Sequence, residues 1–244
     1  MKAPDFLIVG EAKCGTTSLY EDLIKHPHIL PTKGFDKVSY DGGSIYLSQK
    51  EPRFFDRHWH LGLDWYLNKF TDEPGTITGD GSPMYFYRAL SMYRIKLTFP
   101  DIKIIIMLRN PVDRLFSHFH HIAGIVPKWG ERYPTFGRFI DCAFENDYHI
   151  IDRGIYANAM RNCLRLFKRG NIHIVKSESY FAGDSFEDVT DFLGVSEMNL
   201  KEVSHFRASG YESPMDPELR KVIGEFYRPF NEELYSLVGT DMGW

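Results

Sequence analysis

The chain has 244 residues, 43% of them hydrophobic and 25% charged, which fits one globular domain of ordinary composition. A disordered chain, a collagen-like fibre and a disulfide-stapled miniature are excluded on those grounds. With 29 Lys and Arg against 33 Asp and Glu, the formal charge is −4. Nothing therefore draws the whole chain to nucleic acid or to a membrane surface, and any anion site must be local.

Phe6 to Val9 is a short apolar run ending at Gly10, and Leu19, Leu23 and Ile24 then recur at helical spacing until His26-Pro27. A strand, a glycine-bounded turn and a helix open an α/β unit. Residues 31–50 are polar, contain glycine and show no period, so they read as one long loop. Ile102 to Leu108, interrupted only by Lys103, reads as a strand covered on both faces, as in a parallel sheet. It ends at Arg109-Asn110-Pro111, and Pro111 starts a helix with the apolar stripe Val112, Leu115, Phe116 and Phe119.

A helix from Tyr156 through Met160, Cys163, Leu164 and Phe167 stops at Gly170, before a strand from Ile172 to Val175. Ser185 with Asp188 has the form of a capping box for a helix ended by Gly194. Asp216-Pro217 starts the last helix, which Pro229 should kink or split. The expectation is an α/β fold: one domain over residues 1–244, a central parallel sheet flanked by helices, and a P-loop-like turn.

Cys14, Cys142 and Cys163 are odd in number and contain no C-x-x-C, which argues against a disulfide framework or a cysteine zinc site. Reduced thiols of a cytoplasmic protein are the expectation. No signal peptide or membrane span is visible: the apolar run at Phe6 is too short. His58-x-His60 and His118-x-His120-His121 lack an acidic or cysteine partner set, so no metal is expected and these histidines read as surface or packing residues.

Gly10-Glu-Ala-Lys13-Cys14-Gly15-Thr16-Thr17-Ser18 follows the first strand. Such a turn exposes backbone N–H groups and the positive end of a helix, a cradle for phosphate. Lys13 adds a charge, and Thr16, Thr17 and Ser18 add hydroxyls. The triphosphatase pattern G-x-x-x-x-G-K-[ST] fails here, because Thr16 stands where its lysine belongs. Arg109 lies at the carboxyl end of a strand, where open α/β sheets bind ligands. Ser117, eight residues on, can share one phosphate with it as fork and hydroxyl.

These two segments together resemble the cofactor signatures of sulfotransferases that use 3′-phosphoadenosine 5′-phosphosulfate (PAPS). The first is similar to that family's 5′-phosphosulfate loop. Ile105 to Ser117 is similar to its 3′-phosphate motif. Glu51-Pro-Arg-Phe-Phe-Asp56, Gly62-Leu-Asp-Trp-Tyr66, Ser82-Pro-Met-Tyr-Phe86 and Tyr227-Arg-Pro-Phe-Asn-Glu-Glu-Leu234 resemble segments of the heparan sulfate N- and 3-O-sulfotransferases and their bacterial relatives. The resemblance runs over nearly the whole chain in the family's order.

It implies that Lys13 meets the bridging oxygen and the sulfuryl group, and that Cys14, Gly15, Thr16, Thr17 and Ser18 hold the 5′-phosphate. Arg109 and Ser117 would hold the 3′-phosphate, with Tyr156 and the segment of Arg207, Ser209 and Gly210 also on the cofactor. Glu51 would be the catalytic base, and Arg53, Asp56, Asp80 and Ser82 would face the acceptor. The product would be adenosine 3′,5′-bisphosphate (PAP).

Two departures stand on the acceptor side. Gly81 replaces the lysine those enzymes carry before Ser-Pro, and Arg53 replaces their histidine. Together with the net-acidic chain they favour a small-molecule acceptor with a hydroxyl, amine or guanidine group over a glycan. Two rivals remain at this stage: a P-loop kinase or triphosphatase, and a non-catalytic adenosine-nucleotide-binding protein of the same fold.

Overall fold

The structure, a computed structural model, describes residues 1–33, 38–40, 43–45, 50–145, 149–196, 198, 200, 202–205 and 214–244. The chain runs β1 (Phe6–Gly10), α1 (Thr16–Leu23), β2 (Ile29–Leu30), β3 (Val38–Tyr40), β4 (Gly43–Ile45), α2 (Leu63–Leu67) and β5 (Ile77–Asp80). It continues as α3 (Ala89–Thr98), β6 (Lys103–Leu108), α4 (Pro111–Ile125), α5 (Pro127–Arg132), α6 (Phe136–Glu145) and α7 (His149–Asp152). The remainder is α8 (Tyr156–Leu166), β7 (Ile172–Lys176), α9 (Ser177–Ala182), α10 (Phe186–Leu193) and α11 (Pro217–Val238).

The apolar runs pair side by side in the order β2-β5-β1-β6-β7, with every neighbour parallel. In β1, alternate side chains serve opposite faces, as the two-residue period requires. Leu7 and Val9 join Ile104, Ile106 and Leu108 against Met92 and Ile95 of α3 and Met160 and Cys163 of α8. Phe6 and Ile8 join Ile105, Met107 and Val175 against Leu19 and Leu23 of α1 and Val189 and Leu193 of α10. Each such fully buried side chain contributes roughly 1.5–3 kcal/mol. A third cluster, with Leu115, Phe119, Phe139, Ile223 and Tyr227, ties α4, α6 and α11 together. The fold is a central parallel sheet flanked by helices, as expected, and both candidate phosphate segments leave the carboxyl ends of adjacent strands, β1 and β6.

Three local expectations are corrected. Residues 31–50 are not one structureless loop: β3 and β4 pair antiparallel, Val38 opposite Ile45. Ser185 precedes α10 without a side-chain capping bond, although Gly194 does close that helix at φ 77°. Helix α11 is not split: it runs unbroken through Pro229, with Ile223, Tyr227, Asn231 and Leu234 buried on both sides of it. Packing of that face outweighs the one backbone bond that proline removes. At its start, Asp216 accepts from the N–H of Leu219 at 2.9 Å, a side-chain cap of the kind the sequence signals.

Candidate active site

Gly15 ends the loop after β1 in the left-handed region, φ 95°, and α1 begins at Thr16. A Cβ at Gly15 would also stand 2.8 Å from the Phe181 ring, so both backbone and space demand glycine. Lys13 is left-handed too, φ 73°, a strain of about 1–3 kcal/mol of the kind found at functional sites. The loop is held from below. The N–H of Glu11 donates to the carbonyl of Met107 at 2.7 Å, and Ser177 donates to the carbonyl of Cys14 at 2.9 Å. The buried Glu11 carboxylate is ion-paired with Arg153.

A cleft of about 750 Å³ opens above this loop. Lys13, Gly15, Thr16, Thr17, Arg109, Ser117, Glu51 and Arg53 all line it. Eight of the residues singled out from the sequence, drawn from three distant segments, thus line one cleft. Arg109 reaches toward the Lys13 carbonyl, with Nη1 3.5 Å away. Asn110 caps α4 by accepting from the N–H of Val112 at 2.9 Å, so the helix carrying Ser117 starts at the end of β6.

Other residues expected at the site do not line this cleft. Cys14 is buried and turned to the core, its Sγ 3.7 Å from the Tyr156 hydroxyl; burial pushes its thiol up to about 12. Ser18 is fully buried in α1 and does not line the cleft. Tyr156 is a core residue whose hydroxyl donates to the Arg109 carbonyl at 2.9 Å. It supports the loop from behind. Asp56 lies behind Arg53, to which it is ion-paired. Arg207, Ser209 and Gly210 lie outside the described residues.

Asp80 and Ser82 are also displaced from the cleft. Asp80 is fully buried and accepts from Tyr66 and Tyr85 hydroxyls, each at 2.9 Å, and from Ser82 at 2.5 Å. Burial raises its carboxyl to about 7 against the pull of those donors. The folded chain therefore holds a proton there that the unfolded chain loses above about pH 4. Stability from this group falls as pH rises from about 4 to 7. Thermal melts should show that Asp80→Asn removes this part of the pH dependence; an unchanged profile would contradict it.

Sequence reasoning missed Arg153, His118, His121, Phe181 and His205, all of which line the cleft. Arg153 answers Glu11 from 142 residues away, a pairing that no local spacing announces. Its Nε is buried without a hydrogen-bond partner among the described residues. The two α4 histidines are neither exposed nor simply packed, since they form part of the wall. Arg114, fully buried, lies 3.1 Å from Nδ1 of His118. Burial first, and then the Arg114 charge, holds the imidazole down to about 2. His118 is therefore neutral, with Nδ1 accepting from Arg114 and the proton on Nε2. No cluster of His, Cys, Asp or Glu suited to a metal occurs among the described residues.

This wall brings hydroxyls and cations suited to anions into one cleft with the carboxylate of Glu51. The family model described as a sulfotransferase domain matches residues 3–227. The chain belongs to the sulfotransferase family. The sulfotransferase is 29% identical to human heparan sulfate glucosamine 3-O-sulfotransferase 6, over 99% of its own length and 73% of that protein's. It is 28% identical to mouse bifunctional heparan sulfate N-deacetylase/N-sulfotransferase 4, over 96% of its own length and 30% of that protein's. The crystal structure of a sulfotransferase from Alicyclobacillus acidocaldarius aligns at TM-score 0.74 and 27% identity, covering 99% of this chain and 98% of that one. Among the described residues, no helix of the sulfotransferase is long and apolar enough to cross a membrane.

Proposed function

We propose that the sulfotransferase moves a sulfuryl group from PAPS to a hydroxyl or amine nitrogen of a small acceptor. The observation that carries this reading is the convergence of Lys13, Thr16 and Thr17 with Arg109 and Ser117 in one cleft that also contains Glu51. Two anion points suit a nucleotide phosphorylated at both 3′ and 5′ positions, and a carboxylate suits an acceptor that must lose a proton.

The residues present fit that donor. The helix at Thr16 begins without a side-chain cap or an acidic first turn, leaving its N–H groups available to a 5′-phosphate. Arg109 offers a charged fork, and Ser117 a hydroxyl, to the 3′-phosphate. The bound donor would supply an activated sulfuryl group. Lys13 then neutralises charge on the phosphate oxygen as its bond to sulfur breaks. Glu51 takes the proton as the acceptor's oxygen or nitrogen bonds to sulfur in line. The kinase rival loses its footing, because Thr16 fills the lysine position and Arg109, not a carboxylate, follows β6.

Cations and carboxylates are mixed along the cleft: Lys13, Arg53, Arg109 and Arg153 stand with Glu51, Asp113 and Glu178. That balance supports a small metabolite or natural product over a polyanion. A glycan is the second reading, favoured by the names of the curated relatives. Three free cysteines suit a reducing compartment such as the cytoplasm. The test is incubation with PAPS and a panel of hydroxyl- and amine-bearing metabolites alongside heparan sulfate, reading mass gain of one sulfo group. A gain on metabolites supports the first reading, and a gain on heparan sulfate alone transfers the assignment to the second.

A further inference from the structure

A lysine cation lies beneath the acceptor wall with no exposure to solvent. The Lys50 side chain is 0% exposed, while that of Glu51, its sequence neighbour, is 18% exposed and lines the cleft. The Lys50 ammonium donates to Glu51 Oε1 at 2.8 Å and to the Gly81 carbonyl at 2.8 Å. A buried ammonium costs several kcal/mol unless it is paired and hydrogen-bonded, and the first of these partners lines the cleft.

The surrounding backbone makes the attachment rigid. The N–H of Gly81 donates to the Lys50 carbonyl at 2.8 Å, and the N–H of Arg53 donates to Ser82 Oγ at 3.0 Å. Ser82 in turn donates to Asp80, at the end of β5. The segment 50–53 is thus clamped to 80–82, with Glu51 between the clamps. Gly81 leaves room for the Tyr20 ring, which a Cβ there would approach to 3.0 Å, while Lys50 Cδ would stand at ordinary contact distance, 3.5 Å.

We infer that Lys50 is a positioning residue for the acceptor reaction: it holds one oxygen of Glu51 from behind, so that the other is presented to the cleft. Lys50 does not line the cleft and so acts through Glu51 rather than on the substrate. The inference rests on Glu51 being the base.

The test uses labelled PAPS in single turnover, with the panel of hydroxyl- and amine-bearing metabolites, heparan sulfate and, separately, water as acceptors, and PAP affinity by calorimetry as a check on the donor site. Lys50→Met should leave PAP affinity within about twofold and lower the sulfuryl-transfer rate by about tenfold to a hundredfold, the usual cost of a misplaced catalytic group. Glu51→Gln alone and Lys50→Met with Glu51→Gln should be equally slow, because residues acting as a unit are not additive. Should Lys50→Met fail to bind PAP, Lys50→Leu, which likewise removes the donor, carries the same comparison. A Lys50 variant that binds PAP and turns over at the wild-type rate overturns the inference alone, and so do multiplied losses in the double variant. Unimpaired turnover by Glu51→Gln removes the base, and a wild type that releases no label removes the donor reading; either result takes this inference with it.

Discussion

Glu51→Gln should bind PAP normally and lose about 10²–10⁴-fold in turnover, the usual contribution of a general base. Glutamine keeps the volume of the side chain and removes its ability to accept a proton. Glu51 combines cleft exposure with a fixed backbone: Pro52 limits the chain's freedom, and Phe54 and Phe55 are buried beside it, while the cleft carboxylates Asp113 and Glu178 are engaged by Arg220 and by the N–H of Asn110. Phe54 stacks on Tyr66 with ring centroids 4.6 Å apart, which anchors the segment. The rivals for the role lie elsewhere. Asp56 is ion-paired with Arg53, and Asp80 is buried among three hydroxyl donors. Asp56→Asn and Asp80→Asn should therefore act on stability more than on the chemical step. Near-wild-type turnover by Glu51→Gln, with collapse in either aspartate variant, would reassign the base.

Lys13→Ala should slow the chemical step by about 10²–10³-fold, the loss seen when one donor to a developing negative charge is removed. The ammonium is most valuable when the sulfur–oxygen bond breaks, so the rate should fall more than the affinity for PAP. Lys13 lies in the left-handed region beside Gly15, and alanine there keeps the strain without the charge. Single-turnover kinetics separate rate from affinity: unchanged chemistry with weakened PAP binding would make Lys13 a plain phosphate ligand.

The cleft residues assigned to the donor were legible because each candidate phosphate segment follows a strand that announces itself. Phe6–Val9 and Ile104–Leu108 are fully buried apolar runs, and the ligand-binding turns begin where they end. Within those turns, sequence could not tell which side chains face the cleft. Cys14 and Ser18 interrupt the run of true wall residues because the turn and helix rotate them into the core. The acceptor half was harder. Strand β5 has only four residues, and Gly79 within it makes way for the Phe6 ring, which a Cβ would approach to 2.4 Å. A glycine kept for packing hid the strand that positions Asp80 and Gly81. The contacts of Lys50 with Gly81 and of Arg153 with Glu11 join segments 31 and 142 residues apart, beyond any local pattern.

Calorimetry of PAP against AMP tests the central claim most directly, since the two nucleotides differ in the 3′-phosphate assigned to Arg109 and Ser117. The account predicts clearly tighter binding of PAP. It also predicts that Arg109→Ala weakens PAP by about one to two decades, a charge-assisted contact of roughly 1.5–3 kcal/mol, while leaving AMP nearly unchanged. Equal affinity for PAP and AMP in the wild-type protein would contradict the two-phosphate site, and with it the assignment of PAPS as donor.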